Sequence, residues 1–125
     1  MSIRDWNVLV VEDEADSMEL VCGLMTHYGI NCVAAVSGEE ALQVLEKMTP
    51  TVIILDLALP GVDGWGVLQA VRTNKRLSQI PCIAITAFHT PELAEQAIQA
   101  GFNAYFAKPI DSTSFVRELQ SIVNG

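Results

Sequence analysis

The chain has few basic residues, no long apolar run, and no glycine-rich turn behind its first strand-like segment. Lys and Arg number 7 against 15 Asp and Glu, for a formal charge of −8. The seven cations are scattered, whereas gripping a phosphate backbone takes clustered ones, so direct nucleic-acid binding is excluded. No stretch approaches the ~20 apolar residues that cross a bilayer, and Asp5 and Asn7 break up MSIRDWN as a signal peptide. A cytoplasmic protein with no membrane attachment is expected. The three cysteines, Cys22, Cys32 and Cys82, are odd in number and dispersed among apolar neighbours, which reads as buried core thiols in a reducing compartment. Repeats and low-complexity segments are absent. Where a dinucleotide-binding fold needs glycines, after NVLVV, this chain has Glu12 and Asp13. Two carboxylates there repel phosphate unless a metal intervenes, so dinucleotide binding is disfavoured.

What is present fits one domain, residues 1–125, large enough to bury a core without disulfides or structural metal. Val8 to Val11, Val52 to Leu55 and Cys82 to Ile85 are short, continuous and rich in β-branched residues, as in central strands covered on both faces. Cys32 to Val36 and Ala104 to Ala107 carry more Ala and read as flanking strands. Helical segments alternate with them. Ser37 and Glu40 form a capping-box pattern ahead of Ala41, Leu42, Leu45 and Met48. Thr90 and Pro91 read as N-cap and first helical residue of a helix that Gly101 stops. Asp111 is expected to cap a last helix with Phe115, Leu119, Ile122 and Val123 on one side. Strict β-α alternation in one short domain predicts an α/β fold, a doubly wound parallel sheet with helices on both faces. In such folds ligands bind outside the carboxyl ends of the strands.

The polar residues of interest all fall at those ends: Glu12 and Asp13 after NVLVV, Asp56 after TVIIL, Thr86 after IPCIAI, and Lys108 after NAYFA. Four of the acids, Glu12, Asp13, Glu14 and Asp16, are crowded together and attract cations. Oxygen donors from a few groups suit Mg²⁺ or Mn²⁺ better than zinc. Asp56, with no neighbouring His or Ser, suits nucleophilic attack on phosphorus, giving an acyl phosphate. Lys108 would pair with the acids and with phosphoryl oxygens, and Thr86 could donate its hydroxyl to one. His27 and His89 read as ordinary surface or packing histidines.

The segments VLVVEDE, VIILDLALPGVDG, IAITA and AYFAKPI, in that order and spacing, resemble the receiver domains of two-component response regulators across nearly the whole chain. The resemblance implies a flavodoxin-like sheet of order 2-1-3-4-5 with five helices, an order the pattern alone does not supply. It implies that Asp56 accepts a phosphoryl group from a histidine kinase, directly or through a phosphotransfer protein. Asp13, Asp56 and the backbone carbonyl of Ala58 would bind Mg²⁺, with Mn²⁺ as an alternative, and Glu12 would act through metal-bound water. Many members carry Asp where Glu12 stands. Thr86 and Lys108 would contact the phosphoryl group, and the Lys108 to Pro109 peptide is often cis in the family. Thr86 and Tyr105 would form the switch, with output to a downstream protein through the face of the fourth helix, fifth strand and fifth helix. The implied protein is a signalling domain that catalyses only its own phosphoryl transfer and dephosphorylation.

Ala58 and Phe88 resemble variable positions flanking the phosphoryl group, where a bulky Phe88 and a non-polar Ala58 would place attacking water poorly and slow dephosphorylation. Phe88 as a core residue is the other reading. For Tyr105 the alternative is a half-buried edge aromatic. For the protein, the alternative is a receiver-like interaction module that is never phosphorylated. A dehalogenase-type phosphatase needs a second Asp where Ala58 stands, and a flavin site needs a phosphate loop where the chain is acidic. A stand-alone receiver is the expectation, with a receiver excised from a longer chain as the alternative.

Overall fold

The computed structural model describes residues 2–125. A short 3-10 helix, Ile3–Asp5, leads into five strands: β1 (Asn7–Val11), β2 (Asn31–Ala35), β3 (Val52–Asp56), β4 (Cys82–Thr86) and β5 (Ala104–Ala107). The helices are α1 (Ala15–His27), α2 (Gly38–Lys47), α3 (Gly64–Thr73), α4 (Pro91–Ala100) and α5 (Phe115–Asn124). The strands form one parallel sheet in the order β2-β1-β3-β4-β5. The two Ala-rich strands are the edges, as expected, and the continuous apolar runs are interior.

Alternation along the strands divides the core in two. Leu9, Val11, Ile53, Leu55, Cys82 and Ala84 face α2, α3 and α4 through Ala41, Leu45, Val67, Leu68, Val71 and Ala97. Val8, Val10, Val52, Ile54, Ile83 and Ile85 face α1 and α5 through Val21, Met25, Phe115, Val116 and Leu119. Each fully buried aliphatic side chain contributes roughly 1.5–3 kcal/mol, so both faces are needed to hold the sheet. A one-residue slip would swap them.

Most helix signals work as read. The Ser37 side chain accepts from Glu40 N, and that of Thr90 from Leu93 N, each at 3.0 Å. Gly101 ends α4 at φ 118°, a left-handed conformation that penalises other residues. Three expectations shift. Asp111 does not cap α5 directly: its carboxylate accepts from Thr113 N and Oγ1 in a turn, and Ser114 holds the N-cap position. The short Asp side chain closes that local turn first, and the helix starts after it. Val36 lies outside β2 and is exposed. Of the cysteines only Cys82 is buried, while Cys22 and Cys32 are half-buried because α1 covers an edge strand incompletely.

Candidate functional site

Parallel register builds the site. Val11 pairs with Leu55, so Glu12, the next residue, is level with Asp56. Asp56 pairs with Ile85, one residue before Thr86, and Thr86 pairs with Ala107, one residue before Lys108. Side chains from four separated segments thus arrive at one sheet edge.

Backbone anchors fix each one. Glu12 N donates to Ala35 O at 3.0 Å, and Lys108 N donates to Thr86 O at 2.8 Å. Asp56 Oδ1 accepts from Ala58 N at 3.0 Å. Glu12 Oε2 accepts from Glu14 N at 3.1 Å. Gly64, which starts α3, lets that helix press on the end of β3: a Cβ there would lie 2.5 Å from Asp56 O and 2.9 Å from Leu57 Cα. Asp63 caps the same helix, its Oδ1 accepting from Gly66 N at 2.9 Å. The sequence does not single out Gly64: a glycine after β3 does not by itself name the backbone that it must approach.

Lys108 Nζ bridges two carboxylates, bonding Glu12 Oε1 and, at 3.0 Å, Asp56 Oδ2. Glu12 is 0 % exposed and Asp56 is 4 % exposed. Burial, reinforced by the adjacent Asp56, pushes Glu12 up from the usual 4.5 to about 7. Burial also opposes ionisation of Asp56, but hydrogen bonds from Glu12, Ala58 N and Lys108 outweigh it and hold Asp56 below its usual range. Two buried carboxylates at contact cannot both ionise cheaply. Asp56 therefore carries the charge and Glu12 most readily holds the proton. Burial disfavours the Lys108 ammonium, yet its two carboxylate partners raise its pKa overall.

Asp13 is exposed, but one of its oxygens joins those of Glu12 and Asp56 in a set lying within 4.8 Å of one another. All three donors are carboxylates, and a set of hard oxygens with an open side fits Mg²⁺ or Mn²⁺. Thr86, 1 % exposed, accepts from Phe88 N at 3.1 Å through Oγ1. Its own hydroxyl hydrogen has no acceptor among the described residues and remains available.

Tyr105 pairs with Ala84, two residues from Thr86 on the same face of β4. Diagonal neighbours across a sheet lie within reach of an aromatic ring. The half-buried Tyr105 places its hydroxyl 3.0 Å from His89 Nδ1. His89, read from the sequence as ordinary, thus contacts the ring singled out there, while His27 packs on Tyr28. Nothing in the spacing between residues 89 and 105 signals that contact. Phe88 is 71 % exposed, so its reading as a core residue is corrected: it follows the strand end, where the chain has left both apolar faces. Ala58 is exposed beside Asp56. An open groove of about 350 Å³ runs away from the site, lined by Glu14, Asp16, Ser17, Leu20, Lys108 and Pro109. The Lys108 to Pro109 peptide is cis.

The family model of the response regulator receiver domain matches residues 8–120. The chain belongs to that family. The polar-differentiation response regulator DivK of Brucella ovis is 34% identical over 115 residues, 92% of this chain and 94% of DivK. The chemotaxis response regulator CheY4 of Vibrio cholerae superposes with a TM-score of 0.86 at 26% identity, over 94% of this chain and 98% of that one. The receiver domain of sensor histidine kinase PA1611 from Pseudomonas aeruginosa reaches a TM-score of 0.88 at 27% identity, over 96% and 98% of the two chains. In that structure a magnesium ion is coordinated in the active-site cleft. The expected flavodoxin-like order is the observed one, and this receiver domain is a signalling domain of the two-component class. Among its described residues no helix is long and apolar enough to cross a membrane.

Proposed function

We propose that this receiver domain is a phosphorylation-dependent switch in which Asp56 accepts the phosphoryl group. The observation that carries the reading is the constellation at the strand ends: Lys108 Nζ bonds Asp56 Oδ2 at 3.0 Å and reaches Glu12 as well, with an Asp13 oxygen in the same carboxylate set. An Asp56 carboxylate oxygen attacks phosphorus on a phosphohistidine of a histidine kinase or phosphotransfer protein. The new O–P bond forms as the P–N bond breaks, and the donor imidazole leaves with the bonding pair. The groove along α1 opens beside Lys108, the residue that bonds Asp56, and gives the donor a surface to dock on.

Asp13, Asp56 and the carbonyl of Ala58 would hold a divalent cation, Mg²⁺ or Mn²⁺, with Glu12 engaged through water. Magnesium in the cleft of the PA1611 receiver domain supports this assignment. When bound, such an ion supplies charge neutralisation and orientation of the transferring group. Lys108 passes from the Asp56 carboxylate to the phosphoryl oxygens. Thr86 turns its free hydroxyl hydrogen to another of them.

Movement of Thr86 strains its hydrogen bond from Phe88 N and disturbs the loop that carries His89, the partner of Tyr105. The Thr86–Tyr105 pair therefore transmits the signal to the face formed by α4, β5 and α5, where a downstream protein docks. Near-complete switching takes about 5.5 kcal/mol of differential interaction, within reach of a few charge-assisted hydrogen bonds plus a cation. The test is acetyl phosphate with Mg²⁺, followed by rapid mass spectrometry. One added phosphoryl group mapping to Asp56 is expected. An unmodified chain would leave a constitutive interaction module in its place.

A further inference from the structure

Ala58, the residue whose carbonyl is assigned above to the divalent cation, belongs to the loop between β3 and α3. The sheet anchors the start of that loop: Leu57 N donates to Ile85 O at 3.0 Å, Ala58 N donates to Asp56 Oδ1 at 3.0 Å, and the Leu57 and Leu59 side chains are buried on either side of Ala58. The far limb, Pro60 and Gly61, is exposed. There the loop meets α2, a helix outside the carboxylate cluster, through three contacts with its first turn. Val62 N donates to Glu39 Oε1 at 3.3 Å. Gly38, buried at the start of α2, lies so close to the loop that a Cβ there would collide with the Val62 carbonyl. Gly61 takes φ 69°, the left-handed conformation that suits glycine, and a Cβ there would meet Glu39 Oε2 at 2.7 Å. Two glycines let helix and loop approach, and one carboxylate holds them together.

We propose that Glu39 is a positioning residue for the divalent-cation site: it fixes the far limb of the β3–α3 loop and thereby the direction in which the Ala58 carbonyl points. The inference rests on the assignment of that carbonyl to the cation. Glu39 is itself exposed, so burial in the core does not account for its place against the loop. A loop limb released from α2 samples several backbone conformations, and the apparent affinity for a ligand falls with the fraction of molecules whose donors are in place. Glu39 acts here as a hydrogen-bond acceptor, a role that an amide oxygen also fills. Glu39→Gln therefore keeps the tether and removes the charge, which separates positioning from plain attraction between a carboxylate and a cation.

The experiment titrates the full chain with Mg²⁺ by isothermal calorimetry and, in chelator, follows amide hydrogen exchange over residues 57–63. Glu39→Ala is expected to weaken Mg²⁺ binding by roughly twofold to tenfold, the range set by the loss of one hydrogen bond, and to speed exchange at Val62 N. Glu39→Gln restores both. Gly61→Ala, whose Cβ displaces the carboxylate, also weakens Mg²⁺ binding, and it does so less in the Glu39→Ala background than in the wild type, because both changes break one contact. Equal losses in Glu39→Gln and Glu39→Ala would overturn the proposal in favour of charge attraction. Mg²⁺ binding by Glu39→Ala as tight as that of the wild type would overturn it outright. A wild-type chain that binds no Mg²⁺ would instead remove the cation assignment, and the proposal with it.

Discussion

Each end of the sheet is organised around one long cation, and the two cations have different neighbours. At the carboxyl edge, Lys108 lies between the buried carboxylates of Glu12 and Asp56. At the opposite edge, Arg72 of α3 donates to neutral acceptors: Gly101 O at 3.2 and 2.9 Å, Ser78 O at 3.1 Å, Ile80 O at 2.7 Å and Asn103 Oδ1 at 2.8 Å. Asn103 Oδ1 in turn accepts from Cys82 N at 2.9 Å. The Arg72 end is saturated and joins the end of α3 to the entries of β4 and β5, an arrangement with no incentive to change. The Lys108 end gathers three carboxyl groups, Asp13 included, around one ammonium, and it rearranges when a cation or a phosphoryl group redistributes the charge. Stability is concentrated at one edge and responsiveness at the other.

The sharpest way to break this comparison is Asp56→Asn. It is expected to abolish phosphoryl incorporation from acetyl phosphate while circular dichroism and the urea midpoint stay near or above those of the parent; a variant that still took label would place the chemistry elsewhere. Next is Arg72→Ala, which strands the carbonyls of Gly101 and Ile80. A loss on the order of 3 kcal/mol by urea denaturation is expected from orphaning partly buried acceptors, with the labelling rate of the folded protein unchanged. A slowed rate would show that the two edges are coupled.

A smaller effect separates the proton from the metal at the responsive edge. Folded Glu12 sits near 7 against the usual 4.5, so between those values the folded state keeps a proton that the unfolded chain has released. The resulting stabilisation is complete below about pH 4.5 and fades as pH rises through 7. In chelator, Glu12→Gln should therefore gain on wild type by on the order of 2 kcal/mol between pH 5 and pH 8; parallel denaturation curves across that range would rule out a retained proton. The smallest effect is kinetic: Phe88→Asn, at an exposed position that carries no core packing, should shorten the phosphoryl lifetime severalfold in a quench time course. An unchanged or longer lifetime would remove Phe88 from any role in excluding water.

Much of this is legible in the sequence alone, and the legible parts share a range. Ser37 with Glu40, Thr90 with Leu93, and Gly101 act over three residues or fewer, so local capping and turn chemistry reveal them. The apolar runs that end in Asp56 and Thr86 are equally local, since a strand buried on both faces needs an unbroken run. The misplacement of Asp111 came from the same scale, where a turn and a cap compete for one carboxylate. Phe88 was ambiguous because one aromatic after a strand end has no periodicity to assign it to a face.

The sequence by itself determined the elements, the sheet class and the list of polar strand ends, because hydrophobic period and capping are written within a few neighbouring residues. Tertiary structure alone decided which of those ends touch. Lys108 and Glu12 are 96 residues apart and meet through strand order and register. The same packing decided that Glu12 is buried enough to hold a proton and that His89 reaches Tyr105. Burial and proximity depend on what other segments bring alongside, and a residue's own neighbours in the chain do not encode that.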